Sequence, residues 1–118
     1  MSSKPRKWKM RIQHILDAIA ENLSYTDDIS YAQLYQDQKT LKVIVWNLTV
    51  IGEAARHIPL QIEVDFPAVP WAKMRGMRNH IVHGYAQIDL EIVWEVVRNE
   101  LPPLVPFLQE ILEKAVEQ

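Results

Sequence analysis

The residues with the clearest chemical potential lie in a stretch from Phe66 to Ile88 that contains no acidic side chain. Arginine and histidine are interleaved there with apolar residues, at Lys73, Arg75, Arg78, His80 and His83. Histidine titrates near neutral pH and can take or give a proton, whereas arginine offers a fixed charge and forked donors suited to phosphate. With no cysteine in the chain, phosphodiester transfer in RNA is the chemistry that such a pair favours.

RNA supplies its own nucleophile, the 2′-hydroxyl, so this chemistry requires neither a metal nor a cofactor. Arg78 and His83 are the candidate catalytic pair, and Lys73, Arg75 and His80 are candidates for binding RNA. On one continuous helix, Arg78 would lie about 140° around from His83. The pair could meet through the long arginine stem, through a bend at Gly84, or through a second copy of the chain.

Other interpretations of these residues stay open. Charged side chains are mostly solvated surface groups, so an arginine and a histidine alone do not define an active site. His80 and His83 are spaced for metal binding, but the segment offers no carboxylate to complete a zinc site. Tyr85 fits an aromatic that closes a helix end equally well.

The surrounding pattern predicts an all-α fold, an antiparallel up-and-down bundle of about five helices. We expect helices from about residue 12 to 23, around Tyr31 to Tyr35, from Gln38 towards Pro59, from Pro70 to Gly84, and from Asp89 onwards. Pro102 and Pro103 interrupt the last pattern before a final helix over 104–116. Asp37 and Asp89 are predicted N-caps, Ser24 to Ile29 a polar break and Leu60 to Val69 a connector. The 118 residues suit one domain, 1–118.

Three tryptophans, Trp46, Trp71 and Trp94, sit in apolar helical stripes and are predicted core anchors. Glu53 is predicted to be a buried partner for Arg56, Arg75 or Arg78, and His14 and His57 to be surface or packing residues. Five cations cluster near the N-terminus, where a solvated leader is the plain interpretation: Lys4, Arg6, Lys7, Lys9 and Arg11.

Composition excludes several classes of protein. Hydrophobic residues make up 48% and charged residues 24%, with a formal net charge of −2, so disorder and a broadly basic surface are not indicated. Without cysteine, disulfides and thiolate metal sites are excluded. No run is apolar enough to suggest a membrane span or a secretion signal. We expect a cytoplasmic protein that does not associate with membranes.

The segment from Arg78 to Tyr85 resembles the Arg-x4-His-x-Tyr motif of the HepT-like HEPN ribonuclease toxins, including the polar Asn79 that follows the arginine. The likeness extends along most of the chain. It includes the mid-chain helix at 47–55, the approach to the motif at 70–71 and 76–79, and the following helix and bend at 89–94 and 101–102. Only about the first dozen residues lack an obvious counterpart.

This resemblance implies that Arg78 and His83 are the catalytic pair, supported by Asn79 and Tyr85. It implies a homodimer in which both copies of the motif face a shared cleft, and a toxin that cleaves tRNA or mRNA. A small nucleotidyltransferase-fold antitoxin would hold the toxin in check and could transfer AMP to Tyr85.

Two alternatives remain beside the enzyme. The chain could be a catalytically silent helical partner that docks a nucleotidyltransferase and presents RNA or nucleotide to it. It could also be a purely structural helical dimer.

Overall fold

Two long antiparallel helices form the centre of the molecule, whose computed structural model describes residues 8–83 and 87–116, with the backbone alone at His83. Helix α1 spans Trp8–Thr26 and helix α3 spans Gln38–Ala55. Each buries an apolar stripe at helical spacing, as the sequence predicted. The buried positions include Ile12, Ile15 and Ile19 on α1 and Ile44, Leu48 and Ile51 on α3.

A short helix, α2 (Tyr31–Gln36), joins the two long ones. Ser30 caps it by accepting a hydrogen bond from the Gln33 amide, and the Gln33 side chain accepts one from the Ser30 amide. Asp37 caps α3 by accepting from the Thr40 amide at 3.0 Å, which confirms the predicted N-cap. The predicted break at Ser24 was too early, because α1 continues to Thr26, whose buried hydroxyl donates to the Asn22 carbonyl.

The region after α3 is more segmented than the sequence indicated. The predicted connector contains helix α4 (Leu60–Asp65). The predicted helix from Pro70 to Gly84 is two short helices, α5 (Trp71–Arg75) and α6 (Met77–Ile81). They are divided at Gly76, whose backbone ψ of 16° departs from helical values.

Helix α6 ends at Ile81, three residues before the predicted glycine stop. Val82–His83 forms strand β1, which pairs antiparallel with strand β2 (Gln87–Ile88). The β-branched Val82 is extended, with φ −111° and ψ 121°, and the Asp89 amide donates to the Ile81 carbonyl at 2.9 Å. These contacts return the chain to the bundle after α6. Gly84 lies outside the described residues.

The C-terminal third packs back against α1. Asp89 caps helix α7 (Leu90–Glu95), confirming the second predicted N-cap. A π-helical turn (Val96–Glu100) and a 3₁₀ turn (Pro102–Leu104) follow, where the two prolines interrupt the ladder, and helix α8 spans Val105–Lys114. Pro106 falls in the first turn of α8, as predicted.

The helical-bundle prediction is confirmed, with more and shorter segments than five and with one two-residue ladder. Among residues 8–83 and 87–116, none of the helices is long and apolar enough to cross a membrane. Trp71 is buried at 4% exposure, as predicted, and Trp94 is half-buried. Trp46 was wrongly predicted to be a core anchor, because its side chain is 65% exposed.

Candidate active site

Helix α6 holds Arg78 on the surface of the molecule. Met77 and Ile81, one helical turn apart, are buried at 2% and 0% exposure and fix one side of α6 in the core. Gly52 on α3 permits the close approach of α5 and α6, since a β carbon there would lie 3.2 Å from the Met74 carbonyl oxygen. The two residues after Met77, Arg78 and Asn79, are exposed as a result.

Arg78 makes no hydrogen bond or ion pair with any residue that the structure describes. The guanidinium therefore keeps its five donors available for a ligand. Nothing on the described surface neutralises its charge, which is what a phosphate ligand requires.

The two cations that precede Arg78 are neutralised by acids from outside the acid-free stretch. The Lys73 ammonium lies 2.7 Å from a Glu100 carboxylate oxygen. The Arg75 guanidinium donates to Glu63, whose side chain is only 17% exposed. The sequence placed Lys73, Arg75 and Arg78 together as cations, and the fold leaves only Arg78 of these three without an acidic partner.

His80 points partly into the protein. The residue is half-buried, and its Nε2 atom is buried without a hydrogen-bond partner among the described residues. A buried ring nitrogen cannot contact a bulky polyanion from outside without a rearrangement. This placement does not favour His80 as an RNA contact, although it leaves a buried polar atom that lacks a described partner.

His83 does not share a helix with Arg78. Because α6 ends at Ile81, His83 follows in extended backbone, paired with Gln87. The helical estimate of about 140° between the two residues therefore does not apply. The bend that the sequence placed at Gly84 occurs at Val82 instead. The side chain of His83 and the whole of Tyr85 lie outside the described residues.

Other titratable residues lie apart from this site. Glu53 was wrongly predicted to be buried: its side chain is 64% exposed and lies 3.2 Å from His57 and 4.0 Å from Arg56. His14 and His57 are exposed. Within the described ranges, no three residues of the metal-ligating types cluster closely enough to hold an ion.

The acidic partners Glu63 and Glu100 were missed by sequence reasoning. They lie 12 and 27 positions from Arg75 and Lys73, so no helical spacing connects them. The only sequence signal was that both flank the acid-free stretch.

The model of the family described as "Ribonuclease HepT-like" matches residues 15–111 of the chain. The match covers the two long helices, Arg78 and His83. The chain belongs to the HepT-like ribonuclease family. The predicted resemblance to this family is confirmed, and the motif at 78–85 lies within the matched range.

Several relatives of the chain carry ribonuclease names. A "Probable ribonuclease HepT" of Thermococcus cleftensis is 30% identical over 99 residues, covering 84% of this chain and 90% of that protein. A Methanocaldococcus jannaschii protein with a provisional RNase name is 32% identical over 99 residues, covering 84% and 82%. Another, from Caldanaerobacter subterraneus, is 30% identical over 103 residues, covering 87% and 92%. No solved structure matches the chain.

The described cavities do not explain how a HepT-like protein would hold RNA. One of about 610 Å³ lies between the start of α1, α4 and the end of α8, away from the motif. Another, of about 260 Å³, lies between α5, α6 and the 3₁₀ turn and is bordered by Lys73 and Glu100. Arg78 lines neither, which suits a surface that meets an extended strand better than a pocket that encloses a small molecule.

Proposed function

We propose that this HepT-like protein is a metal-independent endoribonuclease and the toxin of a type II toxin–antitoxin system, acting in the cytoplasm as a homodimer. The observation that carries the proposal is the exposed Arg78, whose guanidinium has no described partner although the two preceding cations are both paired with acids. Family membership supplies the substrate class, RNA, with tRNA or mRNA as the target.

In the proposed reaction, the guanidinium of Arg78 binds the scissile phosphate and stabilises the extra negative charge that develops at phosphorus. His83 takes the proton from the 2′-hydroxyl, whose oxygen attacks phosphorus as the bond to the 5′-oxygen breaks. The leaving oxygen takes up a proton, either from a protonated imidazole or from water. The products are a 2′,3′-cyclic phosphate and a 5′-hydroxyl. Asn79, exposed beside Arg78, supports the phosphate with its amide.

The fold assists this assignment in one further way. Arg78 lies on a helix fixed in the core, whereas His83 lies on the extended segment that follows it. The two groups are therefore carried by different elements, and two copies of the chain could bring one of each to a shared phosphate. Lys73 and Arg75 are proposed to contact RNA only at the margin, since acids already occupy them.

The reaction is tested with purified protein and single-stranded RNA in EDTA. We expect cleavage that leaves cyclic phosphate ends, detected by mass spectrometry, and no cleavage of the same oligonucleotide with a 2′-deoxy sugar at the cut site. Arg78→Ala and His83→Ala should each abolish it. Cleavage that persists in both variants, or that proceeds at the deoxy position, would refute the mechanism.

Regulation by the antitoxin is proposed at Tyr85, two residues after His83. An AMP group there would add a phosphate and a base beside the catalytic pair and exclude the substrate. The test is incubation with the neighbouring nucleotidyltransferase and ATP: the peptide that contains Tyr85 should gain AMP and cleavage should stop. Tyr85→Phe should remain active and unmodified. Modification at another tyrosine would contradict the assignment.

The ion pairs of Lys73 and Arg75 favour one alternative, a catalytically silent partner that docks a nucleotidyltransferase. Acids close to the motif lower the attraction for a polyanion, which suits a protein-binding surface better than a nuclease. The alternative predicts a tight complex and RNA binding without cleavage on any RNA tested. The nuclease predicts cleavage that the partner and ATP suppress.

A further inference from the structure

One side of α3 is apolar but has no neighbour within the chain. Val43 and Trp46 are 41% and 65% exposed, and Val50, one turn further on, is only half-buried. The spacing of three and four residues places them in one line along the helix. A tryptophan this exposed at the middle of a long helix leaves a large apolar area in water.

Charged residues flank this line in an ordered way. Lys39 lies seven residues before Trp46, and Glu53 lies seven residues after it. We call this surface, formed by Lys39, Val43, Trp46, Val50 and Glu53, the α3 face. Lys39 makes no hydrogen bond or ion pair with the described residues. Glu53 makes two exposed contacts with neighbours on its own turn, to Arg56 and His57, and such pairs contribute little.

We propose that the α3 face binds the same face of a second copy of this chain, around a twofold axis next to Trp46. In an antiparallel pair centred on Trp46, each residue is level with the one equally far on the other side of the centre. Lys39 of one copy is then level with Glu53 of the other, about 10 Å from the axis, and the pair occurs twice. The face is therefore complementary to itself in charge as well as apolar at its centre.

Shallow grooves on both sides of Trp46 give the apolar side chains room to interlock. One, of about 180 Å³, lies between α1 and the start of α3 and is lined by Tyr25, Lys39, Thr40 and Val43. The other, of about 250 Å³, borders Trp46, Val50 and Glu53, with Arg11 and His14 from α1 opposite. A ring from the partner can enter between the two helices, as aromatic anchors do at the centre of stable interfaces.

This arrangement places both motif helices on one side of the dimer. Gly52, which contacts α5 and α6, lies about 120° around α3 from Trp46, outside the contact line. The twofold axis stands perpendicular to the plane of the two α3 helices, so whatever lies on one side of that plane in one copy lies on the same side in the other. The inference thus deepens the proposed function, in which two copies of Arg78 and His83 share one cleft.

The test is sedimentation equilibrium of the full chain. Trp46→Glu should weaken self-association about 30-fold or more, as expected for a central aromatic anchor. Leu60→Glu is the matched control, because Leu60 is 74% exposed on α4, and it should associate like the parent chain. A monomeric parent chain, an unaffected Trp46→Glu, or an equal loss in Leu60→Glu would each overturn the proposal.

The register is tested by exchanging charges at exposed positions, where the fold is not at stake. Lys39→Glu and Glu53→Lys should each weaken association roughly tenfold, and the double variant should regain the parent affinity. Failure of the double variant to recover would overturn the twofold arrangement. Association is measured without RNA, so this result is independent of the nuclease assay: a dimer without cleavage refutes the proposed function alone, and cleavage by a monomer refutes the dimer alone.

Discussion

The Lys73 ammonium and a carboxylate oxygen of Glu100 lie 2.7 Å apart and join α5 to the π-helical turn. This ion pair changes the meaning of the basic segment. A cation held by an acid attracts a phosphate less strongly than a free one, so the local sequence overstates the charge that RNA would meet. With Arg75 paired to Glu63 as well, Arg78 becomes the dominant attraction for a phosphate.

Glu100→Gln should strengthen RNA binding, because it releases the charge of Lys73. One further phosphate contact should steepen the dependence of log K on log salt by about 0.7 for a single strand. Fluorescence anisotropy of a labelled RNA across a salt series measures both quantities. Glu110→Gln, which breaks the Lys114 pair on α8, is the control and should change neither. An unchanged slope in Glu100→Gln would show that Lys73 does not reach RNA.

Gly52→Ala should destabilise the fold by about 1–3 kcal/mol, although alanine usually stabilises a helix relative to glycine. The added β carbon would meet the Met74 backbone carbonyl oxygen at 3.2 Å, and that backbone is fixed by α5. Gly76→Ala is the matched control, since its β carbon would lie 3.6 Å from the nearest carbonyl and its φ of −92° suits alanine. Urea denaturation measures both. Equal stability of the two variants would contradict the close approach.

Asn47→Ala should cost about 1–3 kcal/mol by leaving a buried oxygen without a donor. The Asn47 amide donates to Asn22 Oδ1 at 2.9 Å and to Glu21 at 3.1 Å, and Asn22 is 1% exposed. In a double-mutant cycle with Asn22→Ala, the two losses should not add, because both remove the same hydrogen bond. Additive losses in urea denaturation would show that the bond does not couple α1 to α3.

Asp37→Asn should abolish one component of acid sensitivity. Hydrogen bonds from the Thr40 hydroxyl and amide lower the pKa of the Asp37 carboxyl from 3.8. The folded state therefore gains stability from the ionised form above about pH 3.8, and this gain is lost as the pH falls through the lower folded value. Asparagine still caps the helix but does not titrate. Thermal unfolding between pH 2 and 7 should show a smaller decrease for Asp37→Asn, and curves of identical shape would be the contrary result.

The sequence predicted what depends on local pattern. Both aspartate N-caps, the apolar stripes of α1 and α3, and the bend at the two prolines are each encoded within a few adjacent residues. The family resemblance and the exposed Arg78 also came from one short segment. These features do not depend on which distant elements pack together.

The wrong predictions all depended on tertiary packing. Trp46 sits in an apolar pattern, yet the neighbours of α3 cover only part of its circumference. Helix α6 ends early because the backbone beyond Ile81 pairs with β2 and Asp89, which no helical pattern reports. The ion pairs of Lys73 and Arg75 reach across 27 and 12 positions and arise only when the chain is folded.

The most direct test compares two arginines three residues apart, Arg78 and Arg75, by single-turnover cleavage of RNA in EDTA. Arg78→Ala should lower the rate at least about 100-fold, the usual cost of losing a group that stabilises developing charge. Arg75→Ala should stay within a few-fold of the parent chain, because that guanidinium is occupied by Glu63. Circular dichroism confirms that both variants fold. Cleavage that survives Arg78→Ala, or that is lost equally in a folded Arg75→Ala, would contradict the assignment of Arg78 as the phosphate ligand.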